Sequence, residues 1–267
     1  MNQLQEVLLE IALEVDRICK KHNINYFLDS GSALGAVRHK GFIPWDDDLD
    51  IGMLREDYEK FLQVAQGELG DKYFLQTVDT DKYYNNFFAK VRKNDTKAIE
   101  PVIRKSKMHK GIWIDIFPFD YIPRRIAIDT IKQVNNLQYL YHCMILPAPY
   151  DKPELSLEYI KKYLKHKLKR LIWPIKYGKE NIKEKIVNII NKKYEDEDQV
   201  IVCYPYINPV IYFEKDIFSS TKDIDFEGEK FKILNNVDRY LEQVYGDYMT
   251  IPDVENQQTH ELLDIKF

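Results

Sequence analysis

Apolar residues recur at helical spacing at the start of this chain and later alternate with polar residues. Residues 4–21 carry apolar side chains three and four positions apart, which predicts a first helix, and residues 55–69 predict a second. Short apolar or alternating runs between turn-forming residues are typical of strands. Such runs predict strands at 26–30, 49–53, 73–78, 87–93 and 112–117.

The second half of the chain changes composition. Residues from about 126 to 194 are rich in Lys, Leu, Ile and Tyr and predict a helical region, which Pro118 and Pro123 separate from the strands before it. Strands return at 200–204, at 225–233 as a hairpin, and a last helix follows at 236–245. We therefore expect an α/β (mixed α+β) fold with a core at 1–125, a helical region at 126–198, and C-terminal strands and a helix at 199–267 that pack back on the core.

Four carboxylates crowd into one short stretch, Asp46, Asp47, Asp48 and Asp50. Side chains alternate faces along a strand, so Asp48 and Asp50 share one face and Leu49 and Ile51 share the other. Asp46 has the same parity as Asp48, whereas Asp47 points away. A hard cation such as Mg²⁺ (or Mn²⁺) relieves the repulsion between carboxylates and leaves room for phosphate oxygens. An EF-hand loop that began at Asp46 would need Gly at position 51 and Glu at position 57. This chain has Ile51 and Asp57 there, so the spacing does not fit such a loop.

The residues before these acids predict an anion site. Gly31-Ser32 is expected to turn the chain between a strand and a short helix at 33–39, whose amides and dipole favour a phosphate. Ser32 could instead cap this helix. Strand, small-residue turn, helix and a strand with Asp-x-Asp together form the core unit of the nucleotidyltransferase fold.

Further candidates surround this unit. Asp115 lies on an apolar strand and would need a partner there, either as a third metal ligand and proton acceptor or as a buried ion pair. Cations that could contact phosphates are Arg38, His39, Lys90 and Arg92, although exposed cations on helix ends and strands are common.

Composition limits the classes of protein. The chain has 267 residues, 45% hydrophobic and 31% charged, as in an ordinary globular protein, and its net charge of −4 argues against nucleic-acid binding. The N-terminal residues lack a secretory pattern, and Cys19, Cys143 and Cys203 form no metal or redox spacing. We expect a cytoplasmic protein.

The motifs resemble those of the LicD family within the nucleotidyltransferase superfamily, which is related to fukutin-type transferases. The segment from Arg38 to Asp48 carries the family-specific part, and Gly31-Ser32 with Asp48-Leu49-Asp50 carries the superfamily part. Further matches lie at 88–92, 111–118 and 245–249. Gln257-Gln258 depart from the family, whose members often have a basic residue before the histidine that corresponds to His260.

The resemblance implies a reaction. It predicts transfer of phosphocholine from CDP-choline or a related CDP-alcohol to a hydroxyl of a glycan or lipid-linked glycan, such as a teichoic acid, lipopolysaccharide or capsule precursor. It also implies that Asp48, Asp50 and Asp115 hold the metal and that Asp115 assists the acceptor hydroxyl. Alternatives are nucleotidyl transfer, ribitol- or glycerol-phosphate transfer on the same core, and a binding module without turnover.

Residues 160–179 form a basic stretch. The stretch contains eight Lys and Arg residues and no acid, with an apolar stripe at Ile160, Leu164, Leu168 and Leu171. A solvated helix face over a stripe packed in the core is the favoured interpretation. The alternative is an amphipathic surface that contacts the inner face of an anionic membrane.

Overall fold

The computed structural model describes residues 1–146, 157–205, 210–257, 259 and 261–267. A mixed sheet with the order β1-β2-β6-β4-β3 forms its centre, and β7 pairs with the far end of β6. The β2–β6 pair is parallel and the other pairs are antiparallel. The strands are β1 Phe27–Leu28, β2 Asp50–Leu54, β3 Tyr73–Gln76, β4 Ala89–Lys93, β5 Lys97–Ile99, β6 Trp113–Pro123, β7 Gln199–Val202, β8 Thr221–Phe226, β9 Glu229–Leu234 and β10 Asp264–Lys266.

Helices flank this sheet and form the predicted helical region. Asn2 caps the first helix, because its side chain accepts from the Gln5 N–H while the Gln5 side chain accepts from the Asn2 N–H. None of the described helices is both long and apolar enough to cross a membrane. The helices are α1 Gln3–His22, α2 Ser30–His39, α3 Arg55–Glu68, α4 Ala127–Ile145, α5 Leu157–Tyr177, α6 Lys179–Ile190 and α7 Val237–Tyr245.

The two faces of the sheet differ as the alternation predicts. Leu49, Ile51 and Met53 are fully buried on the face that α1 and α3 cover. The opposite face carries a polar row, because Asp50 on β2 lies beside Asp115 on β6, and Asp115 lies beside Lys90 on β4. The register of three strands therefore brings together residues that are far apart in the sequence.

The prediction that β6 ends before Pro118 is wrong, because the strand continues to Pro123. The Asp115 N–H donates to the Leu49 carbonyl on the β2 side, so the backbone of residue 118 faces the other side. On that side β4 pairing ends at Ile116 and β7 pairing begins at Asp120. Pro118 falls in this gap, where its missing N–H costs no ladder bond.

The start of α2 also differs from the prediction. We expected Gly31-Ser32 to form a turn before a helix at 33–39, but α2 begins at Ser30. Ser30 adopts a positive φ of 46° and turns the chain itself, so Gly31 and Ser32 lie in the first helical turn. First-turn amides have no i−4 partner in a helix, and the anion-binding argument therefore still applies to them.

The C-terminal hairpin lies against the loop after α2. Strands β8 and β9 join through Glu227 and Gly228, both with positive φ, as a tight hairpin turn requires. The Glu227 carboxylate accepts from the Phe42 N–H at 2.9 Å, and the Glu227 N–H donates to the Lys40 carbonyl at 2.9 Å. These two bonds fix the loop that leads into the acidic segment.

A second apolar cluster joins the helical region to the core. It collects side chains of α4, α6 and β7 with residues that precede β4, among them Tyr84 and Phe87. Since β7 pairs with β6, the helical region attaches to the same strand that carries Asp115. The predicted boundaries at 125/126 and 198/199 remain predictions.

Candidate functional site

The N-terminus of α2 is tied directly to the start of β2. The Ser32 hydroxyl accepts from the Asp50 N–H at 2.8 Å, and the Asp29 N–H donates to the Asp50 carbonyl at 3.0 Å. Ser32 is buried, so its hydroxyl aligns the helix with the acid-bearing strand. The Ser32 hydroxyl is engaged within the fold, and the backbone amides of the first turn remain the predicted phosphate contacts.

Asp50 lies at the centre of the acids. It is fully buried on its strand, and burial together with Asp48, Asp115, Asp29 and Asp46 raises its pKa well above the ordinary carboxyl range. A carboxylate among four others is disfavoured in its charged form unless a cation neutralises it. The electrostatics thus favour a divalent cation at this position.

Asp46 belongs to the same cluster, as its parity with Asp48 predicts. Burial raises the pKa of Asp46 to about 8, and the nearby Asp48 contributes in the same direction. A Cβ atom added at Gly31 would lie 2.9 Å from Asp46 Oδ2, so only glycine lets the first turn of α2 approach this carboxylate so closely. The predicted phosphate turn therefore lies against the Asp46 carboxylate.

Lys90 is the cation nearest to these acids in the row. Its Nζ lies 2.6 Å from Asp115 Oδ1, and both side chains are nearly buried. The ammonium also lies 4.6 Å from the Trp113 ring centroid and 5.3 Å from that of Phe88. The ammonium therefore orients the Asp115 carboxylate through a short charge-assisted contact.

Arg92 lies one step further from the acids than Lys90. It is 1% exposed, donates to the Gln76 side chain, and donates from Nη1 to the Gly111 carbonyl at 2.7 Å. Its guanidinium carbon is 4.8 Å from the centroid of the Trp113 ring. These contacts favour a supporting role under the Lys90–Asp115 pair over the predicted contact with phosphate.

Arg38 and His39 lie at the other end of α2. Arg38 Nη1 donates to the Tyr248 carbonyl at 2.8 Å, and its Nε lies 2.9 Å from His39 Nε2. Burial, followed by the neighbouring Arg38, lowers the pKa of His39. Because a neutral His39 accepts from Arg38, the pair aims the guanidinium toward the segment after α7.

A cavity of about 460 Å³ opens between α2 and the segment that follows α7, and we term it the α2–α7 cavity. Gly31, Arg38, Trp45, Asp46, Tyr245 and Tyr248 contribute to its wall. Burial, and then Asp50 and its neighbouring acids, raise the pKa of Tyr245, so this phenol stays protonated near the carboxylates. Gly31 of the predicted phosphate turn and Asp46 of the acidic segment thus border one cavity.

Sequence reasoning missed the tyrosines of α7. The Tyr240 hydroxyl donates to Asp29 and lies 3.4 Å from the Ser30 N–H, which anchors α7 on the start of α2. The motif at 245–249 was the signal for this region, but the sequence alone did not pair it with the acids. His260, which the family pattern singles out, lies outside the described residues.

A second cavity of about 470 Å³ lies on the β4 side, and we term it the α4 cavity. Phe88 separates it from the polar row, since its ring is 4.6 Å from that of Phe117 and contacts Lys90. Five amide side chains also contribute to its wall, with the exposed Tyr139 ring at its edge. They are Asn85, Asn86, Asn135, Asn136 and Gln138.

The donor set suits a hard cation. Asp48, Asp50 and Asp115 supply only carboxylate oxygens, with Asp46 as a further donor, and Mg²⁺ and Mn²⁺ prefer such ligands. Within the described ranges, no three His, Cys, Asp or Glu side chains are already arranged as a finished metal site. Asp115 Oδ1 contacts the Lys90 ammonium at 2.6 Å instead.

Comparison with known proteins agrees with this architecture. A family model described as LicD/FKTN/FKRP, nucleotidyltransferase domain, matches residues 23–150. The lipopolysaccharide cholinephosphotransferase LicD of Haemophilus influenzae is 29% identical over an aligned length of 285, gaps included, and the alignment covers 98% of this chain and 96% of that protein. The ribitol 5-phosphate transferase FKRP of Mus musculus is 29% identical over 161 residues, or 55% of this chain and 33% of its own length.

The acid-bearing parallel strands, the preceding helix and the family match define a nucleotidyltransferase domain. Residues 23–150 thus carry a LicD-type nucleotidyltransferase domain, which agrees with the resemblance of the motifs and with the mixed α/β fold. The similarity to a cholinephosphotransferase over nearly the whole chain supports a phosphotransferase of the LicD type.

Proposed function

We propose that this protein transfers phosphocholine from CDP-choline to a hydroxyl of a cell-surface glycan precursor. The observation that carries the proposal is the placement of Asp50 and Asp115 side by side on parallel strands, with Asp46 opposite the first turn of α2. The similarity to a lipopolysaccharide cholinephosphotransferase supports choline as the alcohol and lipopolysaccharide as the acceptor class.

In this mechanism Asp48, Asp50 and Asp115 would hold Mg²⁺ or Mn²⁺, which would neutralise the diphosphate and stabilise the leaving CMP. The first-turn amides of α2 bind phosphate oxygens, and Gly31 keeps that approach open. Asp115 accepts the proton of the acceptor hydroxyl. The hydroxyl oxygen then bonds to the phosphorus that bears choline, and the bond to the bridging oxygen of CMP breaks in line.

The α2–α7 cavity suits the donor. Arg38 offers a guanidinium for the nucleotide part, while Trp45, Tyr245 and Tyr248 present aromatic rings and Asp46 and Asp247 present carboxylates. A quaternary ammonium is attracted to aromatic faces, so these rings are candidates for the choline head. Ribitol or glycerol in place of choline would use the same acids with different partners in this cavity.

Thermal stabilisation tests the donor. Purified protein is compared with CDP-choline, CDP-ribitol, CDP-glycerol, CTP and ATP, each with and without Mg²⁺. Ligand at about 100 times its Kd stabilises the folded state by roughly 2.7 kcal/mol, so the melting temperature is expected to rise with CDP-choline and Mg²⁺ together. A shift with another CDP-alcohol alone would identify that alcohol, and not choline, as the transferred group. No shift with any nucleotide would contradict the proposed function.

The α4 cavity suits the acceptor. Amide groups donate and accept hydrogen bonds, as sugar hydroxyls do, and Phe88 and Tyr139 offer apolar faces to a sugar ring. Asn135 Oδ1 is buried and has no hydrogen-bond partner among the described residues, so a ligand hydroxyl there would remove the cost of an unpaired acceptor. Phe88 lies between this cavity and the polar row, since the Lys90 ammonium is 5.3 Å from its ring centroid.

Replacing Asn136 and Tyr139 by Ala is expected to raise the KM for an oligosaccharide released from lipopolysaccharide about tenfold, which corresponds to 1.4 kcal/mol. The KM for CDP-choline should not change, since the α2–α7 cavity proposed for this donor lies on the other side of the acids. Gln133→Ala, an exposed change on the same helix outside the cavity, is the matched control. Steady-state kinetics with each substrate varied in turn measures both; an equal rise of both KM values would contradict the assignment.

We further propose a cytoplasmic location, at the inner face of a membrane where lipid-linked acceptors are built. The acceptor could equally be a teichoic acid or a capsule precursor, since the polar cavity wall fits any sugar hydroxyl. Nucleotidyl transfer remains the alternative reaction of the same acids.

A further inference from the structure

Helix α5 carries an apolar stripe that no described part of the protein covers. Six of its large apolar residues are between 41% and 89% exposed, and they are Ile160, Leu164, Leu168, Leu171, Ile172 and Ile175. The favoured sequence interpretation, a stripe packed in the core, is therefore wrong. At 3.6 residues per turn these positions fall within about one third of the helix circumference, so they form one continuous face.

The opposite side of α5 attaches the helix to the protein. Trp173 and Tyr177 pack on the second apolar cluster, and His166 Nε2 lies 3.3 Å from the Leu146 carbonyl. Lys169 Nζ donates to the Tyr139 hydroxyl of α4 at 2.9 Å. The stripe thus points away from the fold because the other face already makes the intramolecular contacts.

Basic residues border the stripe on both sides. In the helical projection Lys161 lies at the edge of the stripe beside Ile172, Lys165 and Lys176 follow on that flank, and Lys167 and Arg170 lie on the other. The stretch 160–179 contains no acid, although the whole chain has a net charge of −4. A positive band around an apolar stripe, on an otherwise acidic protein, is concentrated on this one helix.

We infer that α5 is an interfacial helix that lies on an anionic phospholipid surface, with its apolar stripe inserted between the headgroups. The lysines would contact lipid phosphates while the stripe loses its contact with water. A second copy of this chain is a poorer occupant, because pairing two such stripes would bring two positive bands together. The Lys169–Tyr139 bond joins α5 to the helix that contributes Tyr139 to the wall of the α4 cavity.

Vesicle flotation tests the inference with the full chain. Wild-type protein is mixed with vesicles of phosphatidylcholine alone or with phosphatidylglycerol added, at low and high salt. We expect flotation only with phosphatidylglycerol, weakened by salt. The variant Leu164→Ser/Leu168→Ser/Leu171→Ser should lower the partition coefficient more than about tenfold, since each side chain loses much of its transfer free energy. The variant Lys161→Gln/Lys165→Gln/Lys176→Gln should lower it and flatten the salt dependence.

Ile251→Ser/Val254→Ser is the matched control, because it removes two equally exposed apolar side chains outside α5 and should float like wild type. The changed side chains are exposed, so melting temperatures should stay equal.

Wild type that stays unbound on anionic vesicles, or a Leu-to-Ser variant that floats as well as wild type, would overturn the inference. A dimer that the Leu-to-Ser variant dissociates, without any flotation, would assign the stripe to a second copy. The Mg²⁺-dependent shift with CDP-choline should be the same in all variants, so the inference and the proposed function can fail separately.

Discussion

Replacing Asp50 by Asn is expected to lower kcat for phosphocholine transfer roughly 10³-fold, because the variant removes a charged ligand from the centre of the acids. Asp50 is buried, and four neighbouring carboxylates raise its pKa together with that burial. The same variant should abolish the Mg²⁺-dependent thermal shift with CDP-choline. Steady-state kinetics and the melting temperature measure the two effects on the same preparation.

The Asp50→Asn variant should also be more stable than wild type when Mg²⁺ is absent. Since the pKa of Asp50 is raised in the folded protein, its ionisation disfavours folding above the ordinary carboxyl pKa, and the gain from Asn should grow as pH rises. The melting temperature should increase by about 3 °C for each kcal/mol of relieved repulsion. Asp47→Asn is the control, with expected changes within about 0.5 kcal/mol. Equal loss of activity in both variants would contradict the assignment of the metal site.

Replacing Lys90 by Met is expected to reduce kcat/KM roughly 10²-fold, because the variant removes the cation that contacts and orients the Asp115 carboxylate. It also leaves a nearly buried carboxylate without a partner, which costs roughly 3 kcal/mol of unfolding free energy when Mg²⁺ is absent. Denaturant unfolding with and without Mg²⁺ measures this cost, and Mg²⁺ should restore part of it. Lys90→Arg should retain more activity than Lys90→Met, because it keeps the charge.

Lys93→Met is the matched control on the same strand. Lys93 pairs with Glu10 at 2.8 Å, away from the acids. The loss of this partly exposed pair should cost no more than about 1 kcal/mol and leave kcat/KM unchanged. If Lys93→Met reduced activity as much as Lys90→Met, the loss would reflect the strand as a whole and not the Asp115 partner.

Local patterns in the sequence were enough to predict most elements and the acids. The alternation of Leu49, Asp50 and Ile51 fixes which side chains face the core, and the structure bears out this division. The contact between Lys90 and Asp115 could not be predicted, because it depends on the register of β4 against β6 across more than twenty residues of chain. The same holds for Tyr240 and Asp29, which only the packing of α7 on α2 brings together.

Two other differences have a common physical cause. Pro118 lies inside β6 because a neighbouring strand ends there, and the stripe of α5 is exposed because no described element packs on it. Periodicity shows which residues share a face but not what lies against that face. A strand end predicted from a proline, or burial predicted from an apolar stripe, is therefore wrong where no strand or helix lies against that position.

The most direct test of the proposed reaction uses CDP-choline labelled separately in its choline and cytidine parts, with an oligosaccharide released from lipopolysaccharide as acceptor and Mg²⁺ present. The proposed function predicts that the choline label appears on the oligosaccharide in equal amount to released CMP, and that Asp50→Asn abolishes both. Cytidine label on the acceptor, or choline label released only as free phosphocholine, would contradict it.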